Sequence, residues 1–143
     1  MKRPIRVANF SGALGDRTTA LSEVVNGEPV DVAIGDYMAE ITMANVATQF
    51  IGNNEKLDGF SADIFLEQLK PELSLIAKKG IKIVVNAGVF NPRGLVEAVR
   101  QEIQNQNLSL TAALVEGENL LNRVDELRAE GQLKHMEKLV PLN

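Results

Sequence analysis

Four short stretches of this sequence gather carboxylates, amides, hydroxyls and glycines at spacings that suit a ligand site. They are Asn9 with Ser11 and Gly12, Gly35 with Asp36, Asn86 with Gly88, and Glu116 with Gly117. Asp36 and Glu116 are the candidate catalytic carboxylates, one to give a proton and one to take it. If they share a cleft, repulsion and desolvation raise one of the two pKa values. The run SGALGDR, residues 11–17, carries the small residues and following helix start of a phosphate cradle: Ser11, Gly12, Gly15 and Asp16, with Arg17 to add a bidentate contact. It matches neither GxGxxG nor GxxxxGK(S/T). A tight turn with Asp16 and Arg17 solvated, or paired to each other, is the equal alternative. Asn86 and Asn91 suit a substrate carbonyl or hydroxyl. Structural roles compete throughout: Asp36, Asn91 and Glu116 each precede a helix start and fit an N-cap, Asn, Asp and Gly are what turns need, and Tyr37 reads as the edge of the core.

Composition narrows the chemistry. The chain has 143 residues, 45% of them apolar and 24% charged, which suits one globular domain with a real core. A net charge of −4 argues against nucleic acid or an anionic membrane as partner. There is no cysteine, so disulfides, thiolate catalysis and cysteine zinc sites are excluded. With His135 as the single histidine, neither a Ser-His-Asp triad nor a multi-histidine metal site is expected. Asp36 and Glu116 alone make a thin case for Mg²⁺, so no metal site is assigned. No apolar run reaches the ~18 residues of a membrane span, and the N-terminus lacks a signal-peptide core. The expected setting is therefore soluble and cytoplasmic.

The elements that must position these residues alternate in type. Ile5 to Phe10 reads as a first strand, followed by a helix capped at Thr18 or Thr19 and ended by Gly27. Val30 to Ile34 is a second strand, and Met38 to Ile51 a well-buried helix. Ser61 caps a helical stretch with Pro71 inside it, which predicts a kink or two abutting helices, ended by Gly80. Ile81 to Val85 is short, apolar and β-branched apart from Lys82, the pattern of a strand buried on both faces. Asn91 and Pro92 then start a helix as N-cap and first helical residue. Leu110 to Val115 is expected as a fourth strand, and Leu120, Leu121, Val124 and Leu127 as one face of a last helix. The alternation predicts an α/β fold: a three-layer Rossmann-like or flavodoxin-like parallel sheet of about four strands with helices on both faces. The order 2-1-3-4 is favoured, which sets SGALGDR and NAGVFNP across a crevice from each other. No internal repeat or linker divides the chain.

Taken together, SGALGDR, VDVAIGDYMAEITMA, GIKIVVNAGVFNP and ALVEGENLL resemble, in order and spacing, the N-terminal part of the acyclic terpene utilisation family. The resemblance spans residues 5 to about 121. It matches Ser11, Gly12, Gly15, Asp16 and Arg17 to the family's first loop and Gly35, Asp36 and Tyr37 to its second. Asn86, Ala87, Gly88, Asn91 and Pro92 match the third, and Glu116 with Gly117 the fourth. Family members are longer, so residues 1–143 are expected to form a single α/β domain that is a fragment, truncated relative or separately encoded subunit. Phe90, where a smaller residue is expected, narrows the pocket.

The resemblance implies an enzyme domain of acyclic terpene or branched-chain acyl-CoA catabolism, hydrating, dehydrating or hydrolysing an acyl-CoA or related carboxylate. A coenzyme A thioester is then the substrate, and no cofactor is assigned. The competing reading is a non-catalytic binding or assembly module completed by another chain, with an exposed apolar patch near the C-terminal tail and a homo-oligomer or a complementary domain as partner. A flavin- or nucleotide-binding regulatory domain rests on fold analogy alone.

Overall fold

A computed structural model describes residues 3–13, 16–52, 60–88, 91–117 and 120–141. Three parallel strands, β1 (Val7–Ser11), β2 (Val32–Gly35) and β3 (Lys82–Val85), are joined by helices α1 (Ala20–Asn26), α2 (Glu40–Gly52), α3 (Phe60–Leu69) and α4 (Leu73–Lys79). Helix α5 (Pro92–Asn105) follows β3, and a short α6 (Val124–Ala129) lies near the C-terminus. The α/β class and the parallel pairing are as the alternation predicts. Local signals set several boundaries. Pro71 sits in a 3₁₀ turn, Lys70–Glu72, that splits the expected single stretch into α3 and α4. Gly80 ends α4 in the left-handed conformation, φ 67°, which costs a residue with a Cβ. Asn91 caps α5 by accepting the Gly94 N–H at 2.9 Å. Thr19 occupies the N-cap position of α1, yet its hydroxyl donates to Glu23 Oε1 at 2.8 Å instead of capping. Ser61, expected as a cap, falls inside α3.

The sheet order is β1-β2-β3, with β2 in the centre. This corrects the expected order 2-1-3-4. It also removes a reversal between strands one and three, because β2 lies between them. Right-handed crossovers along a simple 1-2-3 order send every connecting helix to one face. The core shows that outcome: Leu21 and Val25 of α1, Phe65 and Leu69 of α3, and Leu73 and Ile76 of α4 pack with Phe10 and Ala33 of the strands. A bulge between Asn9 and Ser11 turns both Phe10 and Ser11 inward. On the other face Asn9, Ile34 and Val84 stand in register, as do Val7, Val32 and Lys82. There Val7 is 58% exposed, Ile34 39% and Val84 58%. Among the described residues α1, α3 and α4 therefore pack on one face of the sheet, where helices on both faces were expected.

Residues 110–115, the expected fourth strand, join no ladder. Leu110 and Ala112 still pack against the core, and the Ala112 carbonyl accepts from the Arg100 guanidinium at 3.2 and 3.0 Å. A side chain takes the place of a neighbouring strand. The last helix is shorter than its apolar stripe suggests: Leu127 is buried, but Leu120 is exposed.

Candidate functional site

The C-terminal ends of three adjacent parallel strands carry Ser11, Gly35 with Asp36, and Asn86, the edge where ligands of open α/β sheets bind. Backbone and side chains tie these ends together. The Asp36 N–H donates to the Ser11 carbonyl at 2.7 Å, and the Ser11 hydroxyl donates to the Asp36 carbonyl at 3.1 Å. The Asn86 side chain bridges β3 to β2 with both of its ends. Its Oδ1 accepts the Tyr37 N–H at 2.7 Å, while its Nδ2 donates to Asp36 Oδ1 at 2.8 Å. Met38 N–H also donates to Asp36 Oδ1, at 2.9 Å. Oδ2 of Asp36 accepts nothing from the described residues and is the oxygen a ligand can use.

These contacts decide the protonation of Asp36. The Asn86 amide and then the Met38 N–H hold its carboxyl below the ordinary aspartate range, and burial opposes them only weakly. Asp36 is thus an ionised carboxylate at neutral pH, opposite to the rise expected of a crowded pair. Its depressed pKa favours folding above the ordinary aspartate value near 4, and that support is lost as pH falls through the folded-state pKa. In Asn86→Ala the Asp36 carboxyl is expected to titrate at higher pH than in the parent, with a smaller loss of stability on acidification. Carbon-detected NMR of the side-chain carboxyl measures it, and an unmoved pKa removes Asn86 from the cause.

The other candidates make contacts of their own. Glu116 pairs with Arg93, on the first turn of α5, at 2.6 Å, and among the described residues no hydrogen bond or ion pair links it to Asp36. Asn91 is the α5 cap. Gly88 packs so closely on Pro92 that a Cβ there would meet Pro92 Cα at 2.6 Å. The Tyr37 side chain is 1% exposed and turned into the core between Phe10 and Phe65, so only its backbone belongs to the site. Burial pushes its hydroxyl pKa up to about 12. His135 accepts the Glu137 and Lys138 N–H groups on Nδ1, which fixes a turn in the tail.

In the first loop, Gly15 and its neighbour Leu14 lie outside the described residues, as does Phe90 of the third. The described part lines a pocket of about 190 Å³ with Ser11, Gly12, Asp16, Arg17 and Glu23. Asp16 and Arg17 are paired, but not to each other. Asp16 Oδ2 accepts the Gly12 N–H at 2.6 Å and the Ala13 N–H at 3.3 Å. Arg17 reaches Glu23 through Nη2 at 2.6 Å and Nε at 3.3 Å. One supporting residue escaped the sequence reading. Gln68 of α3 is buried; it accepts from the Tyr37 hydroxyl and donates to the Arg17 carbonyl at 3.2 Å, tying loop, core and α3 together. The available signal was a polar residue three positions after Phe65 and next to Leu69, on an otherwise apolar stripe.

The family model described as "Acyclic terpene utilisation family protein AtuA" matches residues 5–143. No curated protein and no solved structure matches the chain.

Proposed function

The chain belongs to the acyclic terpene utilisation family, and from that premise we propose that it is a domain of an enzyme acting on an acyl-CoA or related carboxylate of acyclic terpene or branched-chain catabolism. The observation that carries this reading is the convergence of Ser11, Asp36 and Asn86 in one hydrogen-bonded edge beside the pocket of the first loop. In this proposal the first loop, with Ser11, Gly12, Gly15, Asp16 and Arg17, receives the anionic part of the substrate. Gly35, Gly88 and the Tyr37 backbone shape the edge. Asn86 and Asn91 present amides to a carbonyl. Asp36, ionised, orients a water or hydroxyl through Oδ2, and Glu116 is the second proton-handling carboxylate. Hydration, dehydration or hydrolysis suits such a set, because the chain has no cysteine and its one histidine is engaged in the tail.

The test is thermal unfolding with coenzyme A, short branched acyl-CoAs, flavin and ATP. A ligand at a hundred times its dissociation constant adds about 2.7 kcal/mol, several degrees for a domain of this size. A shift with an acyl-CoA that is lost in Asp36→Asn and Arg17→Ala supports the reading. Unchanged binding in both variants overturns these assignments.

A second reading, an assembly module completed by another chain, is favoured by two exposed apolar surfaces. One is the open sheet face of Val7, Ile34 and Val84, and the other the tail, where Met136 is 93% exposed beside exposed Leu139 and Val140. Parallel sheets bury both faces. A cooperative melt that no ligand moves, with a dimer or larger species by light scattering, selects this reading.

A further inference from the structure

The first loop already holds an anion, and it is the protein's own. The Asp16 carboxylate sits on the two consecutive amides of Gly12 and Ala13, at 2.6 and 3.3 Å, the arrangement in which successive N–H groups cradle an oxyanion. The cation beside it is likewise engaged: Glu23 takes both Nη2 and Nε of Arg17. Gly12, Asp16, Arg17 and Glu23 border one pocket of about 190 Å³. That volume is smaller than the ~300 Å³ at which whole-ligand sites begin, so it suits one charged group of a larger molecule.

We propose that Gly12, Ala13 and Arg17 form an oxyanion site for a phosphate or carboxylate group, kept self-occupied by Asp16 and Glu23, and that ligand entry requires the Asp16 carboxylate to leave the two amides. The proposal rests on the reading of this loop as the anion-receiving part of the substrate site, and adds to it a built-in competitor. Asp16 then hinders binding, although its place in the loop suggests a residue that helps. A ligand that binds only the minority of molecules with Asp16 displaced has its affinity reduced by that fraction.

The experiment is titration of the full chain with inorganic phosphate, acetate and coenzyme A, followed by calorimetry and by the amide NMR signals of Gly12 and Ala13. The chains are the parent, Asp16→Ala, Asp16→Asn, and Glu130→Gln as a charge-matched control in the tail. With the carboxylate gone, phosphate is expected to bind roughly tenfold more tightly or better, with the Gly12 and Ala13 signals moving on saturation. Asp16→Asn, which keeps an acceptor of the same shape, falls between and covers the case in which Asp16→Ala loosens the loop. Glu130→Gln changes nothing. A response to acetate as strong as to phosphate assigns the site to carboxylates, and a response stronger for coenzyme A assigns it to the phosphates of that ligand. Unchanged or weaker binding in both Asp16 variants, equal tightening in Glu130→Gln, or binding that leaves the Gly12 and Ala13 signals in place overturns the proposal. Tighter phosphate binding, in a chain whose thermal unfolding no acyl-CoA shifts, leaves the oxyanion site standing and removes the acyl-CoA assignment.

Discussion

Tyr37→Ala is expected to cost about 3–5 kcal/mol of folding stability, the range for deleting a buried aromatic ring. Its ring meets Phe10 edge-on at 6.3 Å between centroids and Phe65 at 5.7 Å, with interplanar angles of 63° and 69°. The loss removes both aromatic contacts and leaves the buried Gln68 Oε1 without its donor. Domains of this kind hold about 5–15 kcal/mol in total, so the variant should be substantially unfolded at modest urea concentrations. Tyr37→Phe separates the causes. It keeps both ring contacts and orphans only Gln68, which costs about 1–3 kcal/mol. Urea denaturation of the three chains measures the series, and a Tyr37→Ala loss below 1 kcal/mol would remove Tyr37 from the centre of the core. The same burial has a pH signature. Because the hydroxyl pKa is raised to about 12, the folded chain keeps this proton where the unfolded chain loses it. Stability from this group is full below the ordinary tyrosine pKa near 10 and disappears as pH rises towards 12. Tyr37 is the only tyrosine and tryptophan is absent, so phenolate absorbance reports this one group.

The second large effect belongs to Gly35→Ala. An added Cβ would lie 2.8 Å from Phe10 Cζ and 2.9 Å from Tyr37 Cε2, distances that real Cβ atoms do not tolerate. Both rings are already packed, so relief has to come from the β2 backbone or from displaced rings, at about 1–3 kcal/mol for overpacking of this kind. Asp36 is the next residue, and its bonds to Asn86 and Ser11 depend on where β2 ends. Gly35→Ala is therefore expected to lower the unfolding midpoint and weaken ligand binding together, whereas Asp36→Asn should weaken binding with a smaller fall in the midpoint. Equal stability of Gly35→Ala and the parent in urea would show that this close approach is relieved at no cost.

The two substitutions mark what could be read in advance. The glycine at the end of the second strand and the aspartate after it stand out from composition and spacing alone. That the glycine is required by aromatic rings brought in from β1 and from the stretch after β2 does not. Tyr37 shows the same division. Its neighbours in sequence are Gly35, Asp36 and Met38, which suggest a loop residue near the site, but its ring enters a pocket formed by Phe10 and Phe65, 27 and 28 positions away on either side. The sequence allows Asp16 and Arg17 as parts of a cradle, or as turn residues that are solvated or paired to each other. The structure gives each a separate partner: the Asp16 carboxylate takes two nearby amides, and the Arg17 guanidinium meets Glu23 with two nitrogens.

By itself, the sequence determined what short-range physics controls. β-Branched runs made Val32–Gly35 and Lys82–Val85 strands, Gly80 and Asn91 with Pro92 closed one helix and opened the next, and the alternation of elements required parallel pairing. Only the tertiary structure decided the β1-β2-β3 order, the packing of α1, α3 and α4 on one face, the open face of Val7, Ile34 and Val84, and the unpaired course of residues 110–115. The physical reason is that periodicity states how much of a strand is to be buried and never by which neighbour. A strand buried on both faces reads the same whether its second cover comes from its own helices or from a surface it has yet to meet.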